Sequence, residues 1–180
     1  RQFNSIRSNV ETMGHLIDDL LAFSRFGKQE MTKTSLDIES IIRDVWQNLT
    51  TIHPDRNMDL QVEGVQPAMG DRTLIREVFS NLLGNAVKFT RSRDVTRIGV
   101  GSRVQGNETI YWIQDNGIGF DMKYHDKLFG VFQRLHSPGE YEGTGIGLAL
   151  VNRIVHRHGG RVWAEGKADE GATFYFSLPH

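Results

Sequence analysis

Two glycine clusters, D-N-G-I-G at 115–119 and G-T-G-I-G-L at 143–148, have residue types and spacing suited to phosphate binding. Glycine lets backbone N–H groups approach an anion closely, and a helix beginning after Gly147 would add the positive end of its dipole. Asp115 follows an apolar run, and its carboxylate could accept a hydrogen bond from the exocyclic amine of adenine. A single glycine cluster is most often a tight turn, so the prediction of a nucleotide site depends on a third element.

That third element is a helix predicted at 72–89, whose polar stripe could hold a metal and a phosphate. Glu77, Asn81, Asn85 and Lys88 recur at helical spacing beside the apolar face. An Asn side-chain oxygen can join the oxygen ligands of Mg²⁺, and Lys88 can neutralise phosphate charge. The stripe therefore suits a magnesium triphosphate, although an ordinary solvated helix face would have the same composition.

Hydrophobic periodicity predicts the elements that must position these residues. In chain order they are a strand at 32–36, a helix at 38–49 with Asp37 as N-cap, strands at 57–63 and 67–70, the helix at 72–89, a hairpin of strands at 96–104 and 109–115, a helix at 145–158 that ends at a glycine C-cap, and strands at 162–164 and 172–178. Between the glycine clusters we predict a lid, anchored by apolar residues at 128–132 and flexible at 137–139.

Residues 1–27 are predicted to form a long helix with an exposed apolar stripe. Apolar side chains alternate at spacings of three and four, as in a helix that packs on another helix: Phe3, Ile6, Val10, Met13, Ile17 and Leu20. At about 1.5 Å per residue the helix would be roughly 40 Å long, too long for a small domain to cover. We expect the stripe to pack against another chain or a further helix; the alternative is a helix folded back onto its own domain.

Composition limits the class of protein. The chain has 180 residues, 38% of them hydrophobic and 24% charged, with a net charge of −1. This balance gives no basic field for nucleic acid. No cysteine is present, which removes disulfides and is compatible with a cytoplasmic location. No apolar run approaches the ~20 residues of a membrane span, and the absence of an initial Met suggests a piece of a longer protein.

Histidines near the end of the last predicted helix have a simple interpretation. His156 and His158 flank Arg157, and no third metal ligand lies nearby in the sequence. Histidines at a helix C-terminus interact favourably with its dipole, so we expect both to be ordinary helix-end residues.

Five segments of the chain resemble, in order, the N, G1, F, G2 and G3 boxes of sensor histidine kinases. They are N-L-L-G-N-A-V-K-F-T (81–90), D-N-G-I-G (115–119), L-F-G-V-F-Q-R-L (128–135), G-T-G-I-G-L (143–148) and G-A-T-F (171–174). These kinases belong to the GHKL, or Bergerat, superfamily shared with gyrase, the MutL repair ATPases and the heat-shock ATPases. The segment at 132–149 looks most similar to phytochrome-type and PAS-linked kinases. Residues 13–25 resemble the second helix of the dimerisation and phosphoacceptor domain.

The resemblance implies a role for each matching residue, with ATP and Mg²⁺ as the bound groups. Asp115 would hold the adenine amine, Asn85 would ligate Mg²⁺ with help from Asn81, and Lys88 would contact phosphate. The implied nucleotide-binding residues are Asn85, Lys88, Phe89, Asp115, Gly117, Gly119, Gly143, Thr144, Gly145, Gly147 and Leu148, and the implied catalytic residues are Asn81, Lys88 and Arg134.

The resemblance also implies the architecture and the partners. We expect an α+β fold, a two-layer sandwich with a mixed sheet of about five strands under three helices, preceded by the long helix. Residues 1–30 would be the last part of the dimerisation and phosphoacceptor helix, and 31–180 the ATP-binding catalytic domain. The implied partners are the protein's own phosphoacceptor domain, a response regulator receiver domain, and a second copy in a homodimer; neither nucleic acid nor a membrane span is expected.

One departure from the superfamily favours a kinase over an ATPase. Hydrolytic members carry a water-activating glutamate where this chain has Asn81, and an amide cannot take a proton at neutral pH. Glu77, one turn earlier, is an outside candidate for that role. His15 lacks the acid and proline that follow the family's acceptor histidine, so we expect the phosphoryl acceptor to lie outside this chain. The alternatives are an ATPase of the same superfamily and a non-catalytic module that only dimerises.

Overall fold

The computed structural model describes residues 2–28, 30–133, 141 and 143–180, and the side chains of the first helix at residue 10 and from 13 onward. In chain order the elements are α1 Gln2–Lys28, β1 Thr34–Leu36, α2 Ile38–Ile52, β2 Met58–Glu63, β3 Ala68–Gly70, α3 Arg72–Phe89, β4 Thr96–Gln105, β5 Glu108–Asp115, a 3-10 helix Met122–Lys127, α4 Gly147–Arg157, β6 Val162–Lys167 and β7 Gly171–Pro179. Each predicted helix and strand is present with small shifts at its ends, whereas the 3-10 helix has no counterpart among the predicted elements.

The main sheet has five strands in the order β2-β4-β5-β7-β6. β2 runs parallel to β4, and the other neighbours are antiparallel. The turn between β4 and β5 is a two-residue hairpin at Gly106-Asn107, as predicted, with Gln105 paired to Glu108. β1 and β3 form a separate antiparallel pair. The mixed five-stranded sheet confirms the predicted fold class.

Helices α2, α3 and α4 cover one face of the sheet, and α3 lies between the other two. Alternate strand residues point to these helices and pack with their apolar faces in one continuous core. Its centre is aromatic: the Phe79 ring lies edge-on to Phe176 at 5.4 Å, and Tyr111 stacks on Phe176 at 5.1 Å. Asp71 caps α3 by accepting hydrogen bonds from the N–H groups of Thr73 and Leu74.

The opposite face of the sheet carries a cross-strand row of aromatic residues. Trp112, Tyr175 and Trp163 are aligned on β5, β7 and β6. The Trp163 and Tyr175 rings stack at 5.2 Å. Trp112 lies over Gly101 of β4, where any Cβ would overlap the indole ring. The glycine therefore makes room for the tryptophan.

His158 lies at the end of α4, as predicted, and it has a structural role that the sequence pattern does not indicate. It is 2% exposed, and it joins the end of α4 to the start of α3 rather than facing solvent. The Asp71 backbone N–H donates to Nε2 at 3.1 Å, and Nδ1 lies 2.8 Å from the Ile154 carbonyl oxygen. This pairing requires a neutral ring with the proton on Nδ1. Burial lowers the pKa of His158.

α1 packs against the core of the molecule near its C-terminal end. Phe23 and Phe26 pack against the core, and the Arg153 guanidinium lies 4.6 Å from the centre of the Phe23 ring. The stripe further up the helix is exposed, with Met13 60% and Ile17 56% accessible. What covers this stripe stays a prediction, and Phe3 and Ile6 have side chains outside the described set. No helix in the described ranges combines the length and apolarity of a membrane span.

Candidate functional site

The last turn of α3 meets both glycine clusters. The Phe89 carbonyl accepts a hydrogen bond from the Ile118 N–H at 3.1 Å. Gly117 packs so closely on the same carbonyl that a Cβ there would lie 2.5 Å from its oxygen. On the other side, a Cβ at Gly143 would lie 3.0 Å from Lys88 Nζ. Two segments about 26 positions apart in the chain are thus joined by one helix end, which fits a single ligand that spans both.

Asp115 ends β5 and faces the helix layer. It is 6% exposed, and its Oδ1 accepts a hydrogen bond from the Gly117 N–H at 2.8 Å. The Ala172 N–H also donates to the carboxylate, but burial is the larger effect and raises the pKa of Asp115 to about 6. At neutral pH the group is mostly ionised, and it can accept a further hydrogen bond from an amine.

Gly119 joins the first cluster to the turn between β6 and β7. Its φ is +59°, and a Cβ there would overlap the Lys167 carbonyl oxygen, so both conformation and space require glycine. The neighbouring Ile118 carbonyl accepts a hydrogen bond from the Asp169 N–H at 2.7 Å. The cluster is therefore fixed on both sides, by α3 and by this turn.

The second cluster leads directly into α4. Ile146 at the N-cap makes no side-chain capping hydrogen bond, so the first N–H groups of α4 can turn to an anion. The start of the helix lies against α3, because a Cβ at Gly147 would be 2.6 Å from Asn81 Oδ1. Asn81 Nδ2 donates to the Glu77 carbonyl at 2.9 Å and to Glu77 Oε1 at 3.0 Å. These bonds direct Asn81 Oδ1 toward the helix start.

The loop before α4 is held by two distant parts of the chain. The Thr144 hydroxyl donates to Asp19 Oδ2 of α1, which is 125 positions away. The Phe132 N–H donates to the Gly145 carbonyl at 3.0 Å. Gly145 itself has φ +77°, a conformation that favours glycine. The position of the loop therefore depends on both α1 and the segment predicted to be a lid.

Asn85 is the remaining candidate for a metal ligand. It is half-buried on α3, one turn after Asn81 and one turn before Phe89. Within the described ranges no cluster of three or more His, Asp or Glu side chains could hold a metal unaided. A Mg²⁺ at this site would combine an amide oxygen with phosphate oxygens and water, a donor set that this ion accepts.

The remaining predicted residues are partly accounted for. Phe89 is half-buried, with its ring 5.2 Å from the Tyr141 ring and 4.4 Å from Lys88 Nζ. Leu148 packs partly buried against the core. Arg134 lies outside the described residues, as do Leu135 of the F box and 137–139 of the predicted lid.

Two residues near the site are absent from the sequence prediction. Tyr141 contacts Phe89, and Arg93 donates to the carbonyls of Asn116 and Gly117. Arg93 lies in a segment with two other arginines, Arg91 and Arg97, and no local pattern distinguishes it from them. Its role depends on a contact across 23 positions, which sequence periodicity does not encode.

A family model described as histidine kinase-, DNA gyrase B- and HSP90-like ATPase matches residues 70–180. Among curated proteins, cyanobacterial phytochrome A of Nostoc sp. is 36% identical over 170 residues, which are 94% of this chain and 22% of that protein. The methanogenesis regulatory histidine kinase FilI of Methanothrix harundinacea is 34% identical over 175 residues, 97% of this chain and 20% of that protein. The chain thus spans about a fifth of the length of these relatives.

Solved structures share the fold. ShkA full-length in complex with AMPPNP has a TM-score of 0.77 and 26% identity, covering 98% of this chain and 37% of that one. Histidine kinase ThkA in complex with response regulator protein TrrA has a TM-score of 0.76 and 22% identity, covering 98% of this chain and 49% of that one. These similarities include α1 as well as the sandwich, since nearly the whole chain is matched.

Proposed function

Because the chain belongs to the family of histidine kinase-, DNA gyrase B- and HSP90-like ATPases, we propose that it contains the ATP-binding catalytic domain of a sensor histidine kinase. The domain would comprise 31–180, and 1–30 would be the last part of the dimerisation and phosphoacceptor helix. The whole protein would transfer the γ-phosphoryl group of ATP to a histidine outside this chain. The observation that carries the proposal is the end of α3, where Phe89 holds the first glycine cluster and Lys88 reaches the second.

Each residue has a task that its position supports. Asp115 would accept the adenine amine above Gly117 and Gly119, and the start of α4 with Gly143, Thr144, Gly145 and Gly147 would hold the phosphates. Lys88 would offset their charge, while Phe89 and Leu148 would form apolar walls. Asn85, with Asn81, would hold Mg²⁺, which when bound supplies charge neutralisation at the γ-phosphate. Arg134 remains a proposed phosphate contact.

Transfer to an external histidine is favoured over hydrolysis because of how Asn81 is used. The Asn81 side-chain amide donates hydrogen bonds to Glu77, and an amide cannot accept a proton from water at neutral pH. The second candidate function, an ATPase, rests on Glu77, whose carboxylate lies one hydrogen bond from Asn81. Steady-state phosphate release that is lost in Glu77→Gln would favour the ATPase. Absence of nucleotide binding would favour a non-catalytic dimerisation module.

Partners and location follow from the same proposal. The related kinase ThkA is known in complex with a response regulator, so we propose a receiver domain as the final phosphoryl acceptor of this protein too. Its own phosphoacceptor domain and a second copy of the chain would complete the assembly, in the cytoplasm.

The test is Mg²⁺-dependent binding of AMPPNP, measured by calorimetry. Wild-type protein should bind more tightly with Mg²⁺ than with EDTA, and Asn85→Ala should lose most of that difference. Asn48→Ala, on the exposed side of α2, is the matched control and should behave as wild type. Equal affinity with and without Mg²⁺ in the wild type would refute the metal assignment.

A further inference from the structure

We propose that Arg93 is a positioning residue for base recognition: its guanidinium fixes the two peptide groups that orient Asp115 and close the base pocket. Arg93 follows α3, and the hydrogen bonds that its side chain makes in the described residues go to backbone carbonyls. Its effect would pass through the backbone of Asn116 and Gly117. The inference rests on the proposed ATP-binding function, since it assigns a role within that site.

The Arg93 side chain bridges two loops by donating to three carbonyl oxygens. Nε donates to Asn116 at 2.8 Å, and Nη2 donates to Gly117 at 2.9 Å and to Asp169 at 2.6 Å. The first two acceptors belong to the first glycine cluster and the third to the turn between β6 and β7. One planar group therefore fixes the distance between these loops.

The two peptide groups that Arg93 holds also carry the site's own hydrogen bonds. The Asn116–Gly117 peptide presents its carbonyl to Arg93 and its N–H, that of Gly117, to Asp115 Oδ1 at 2.8 Å. The next peptide presents the Gly117 carbonyl to Arg93 and the Ile118 N–H to the Phe89 carbonyl at 3.1 Å. Because a peptide group is planar and rigid, fixing its oxygen also fixes its N–H.

A reciprocal contact makes this arrangement stiff. Asn116 Oδ1 accepts from the Arg97 N–H at 2.9 Å, and Nδ2 donates to the Val95 carbonyl at 3.0 Å. The segment at 93–97 is therefore hydrogen-bonded to the first glycine cluster in two ways, through the Arg93 side chain and through the Asn116 side chain. Loss of Arg93 would release one side of the contact and leave the Asn116 side chain in place.

The chemistry requires arginine rather than any cation. A guanidinium offers several donors in a fixed plane, whereas an ammonium is a point donor that cannot reach three separated carbonyls with the same geometry. Arg93→Lys keeps the charge and should recover only part of the function that Arg93→Ala loses.

The experiment compares affinity for ATP with affinity for inosine triphosphate, which lacks the exocyclic amine. One discriminating hydrogen bond corresponds to about tenfold in affinity, so wild-type protein should prefer ATP by about that factor. Arg93→Ala should reduce the preference several-fold, with Arg93→Lys between the two. Arg97→Ala removes an equal charge from an exposed side chain in the same segment and should keep the full preference.

Amide hydrogen exchange in nucleotide-free protein gives a second readout. Gly117 and Ile118 should exchange faster in both Arg93 variants than in the wild type and in Arg97→Ala. A wild type that shows no preference for ATP would overturn the adenine site itself. A wild type with the preference, and an Arg93 variant that retains all of it, would overturn the role of Arg93 alone. Should Arg93→Ala fail to fold, Arg93→Lys decides the matter by the same two measurements.

Discussion

Burial shifts the pKa values of Asp115 and His158, and the two shifts make stability depend on pH in opposite directions. Asp115 has its pKa raised to about 6, so the folded chain binds more protons than the unfolded chain between roughly pH 4 and 6. His158 has its pKa lowered, so the folded chain binds fewer protons below about pH 6.5. Ionising Asp115 therefore lowers stability as pH rises, and protonating His158 lowers stability as pH falls.

The Asp115→Asn variant should separate binding from folding. Above pH 6 it should bind AMPPNP at least about tenfold more weakly than the wild type, because the amide cannot replace an ionised acceptor. Wild-type affinity should itself fall as pH drops through about 6, where Asp115 takes up a proton, and the variant should lack this dependence. Calorimetry across pH 5–8 checks both, with Asp59→Asn on the exposed side of β2 as control. Unchanged affinity in Asp115→Asn would contradict the adenine role.

For His158 the measurement is the free energy of unfolding against pH. In the Asp115→Asn background, where the opposing contribution is gone, stability should decline as pH falls below about 6.5, since a protonated ring cannot accept the Asp71 N–H. Lys33 and Arg157 add repulsion to the charged ring, and Asp71 partly offsets it. His158→Gln should flatten this decline, whereas His156→Gln, on the exposed side of α4, should not. The same slope in all three proteins would show that another group is responsible.

Among the elements, α3 positions the most site residues, and the half-buried Arg56 holds its C-terminal end. Arg56 donates to the Val87 carbonyl at 2.6 Å and to the hydroxyl groups of Thr90 at 3.2 Å and Thr96 at 2.5 Å. These bonds satisfy a carbonyl of the last turn and place a positive charge at the negative end of the helix dipole. The position of Lys88 and Phe89 depends on this end staying in place.

Arg56→Ala should therefore cost about 2–3 kcal/mol of unfolding free energy, because it leaves these acceptors without their charged donor. Urea denaturation measures the loss. Arg43→Ala, which removes only an exposed pair with Glu39, should cost less than about 0.5 kcal/mol. Similar losses in the two variants would mean that the contacts of Arg56 contribute little.

On the sheet, the pairing of Gly101 with Trp112 gives a further element-level test. A Cβ at Gly101 would overlap the indole, so Gly101→Ala should destabilise the protein by about 1–3 kcal/mol through overpacking. Gly99→Ala, two residues earlier on the same strand face with its nearest neighbour 4.0 Å away, should cost much less. Thermal unfolding of both variants makes the comparison, and equal midpoints would contradict it.

For the whole molecule, the exposed stripe of α1 predicts association. If a second copy covers it, Ile17→Asp should shift the chain from dimer to monomer in sedimentation experiments, because an apolar side chain that is 56% exposed would become charged. Ile52→Asp replaces an apolar side chain on α2 that is 67% exposed but not part of the stripe, and it should leave the state unchanged. A monomeric wild type at high concentration would contradict the prediction.

The order of elements could be predicted from the sequence because it depends on local signals, and the same signals led to the proposed site. The period of α3 places Asn81, Asn85 and Lys88 together, and glycine clusters mark the loops. The buried hydrogen bond of His158 was not predicted, because its partner, Asp71, is 87 positions away. The contact of Arg93 with Asn116 and the hydrogen bond between Asp19 and Thr144 likewise join residues that are far apart in the chain. The apolar residues at 128–132 do not predict the short 3-10 helix that precedes them.

The hydrogen bond between Thr144 and Asp19 has a thermodynamic consequence for ligand binding at this loop. A hydroxyl has one proton to donate. A ligand that accepts a hydrogen bond from the Thr144 hydroxyl must therefore break its bond to Asp19 and weaken the contact between α1 and the loop. Linkage makes the effect mutual: a displacement of α1 that breaks the same bond would change the affinity for that ligand by an equal factor. One shared proton would thus couple the position of α1 to the affinity of the nucleotide site.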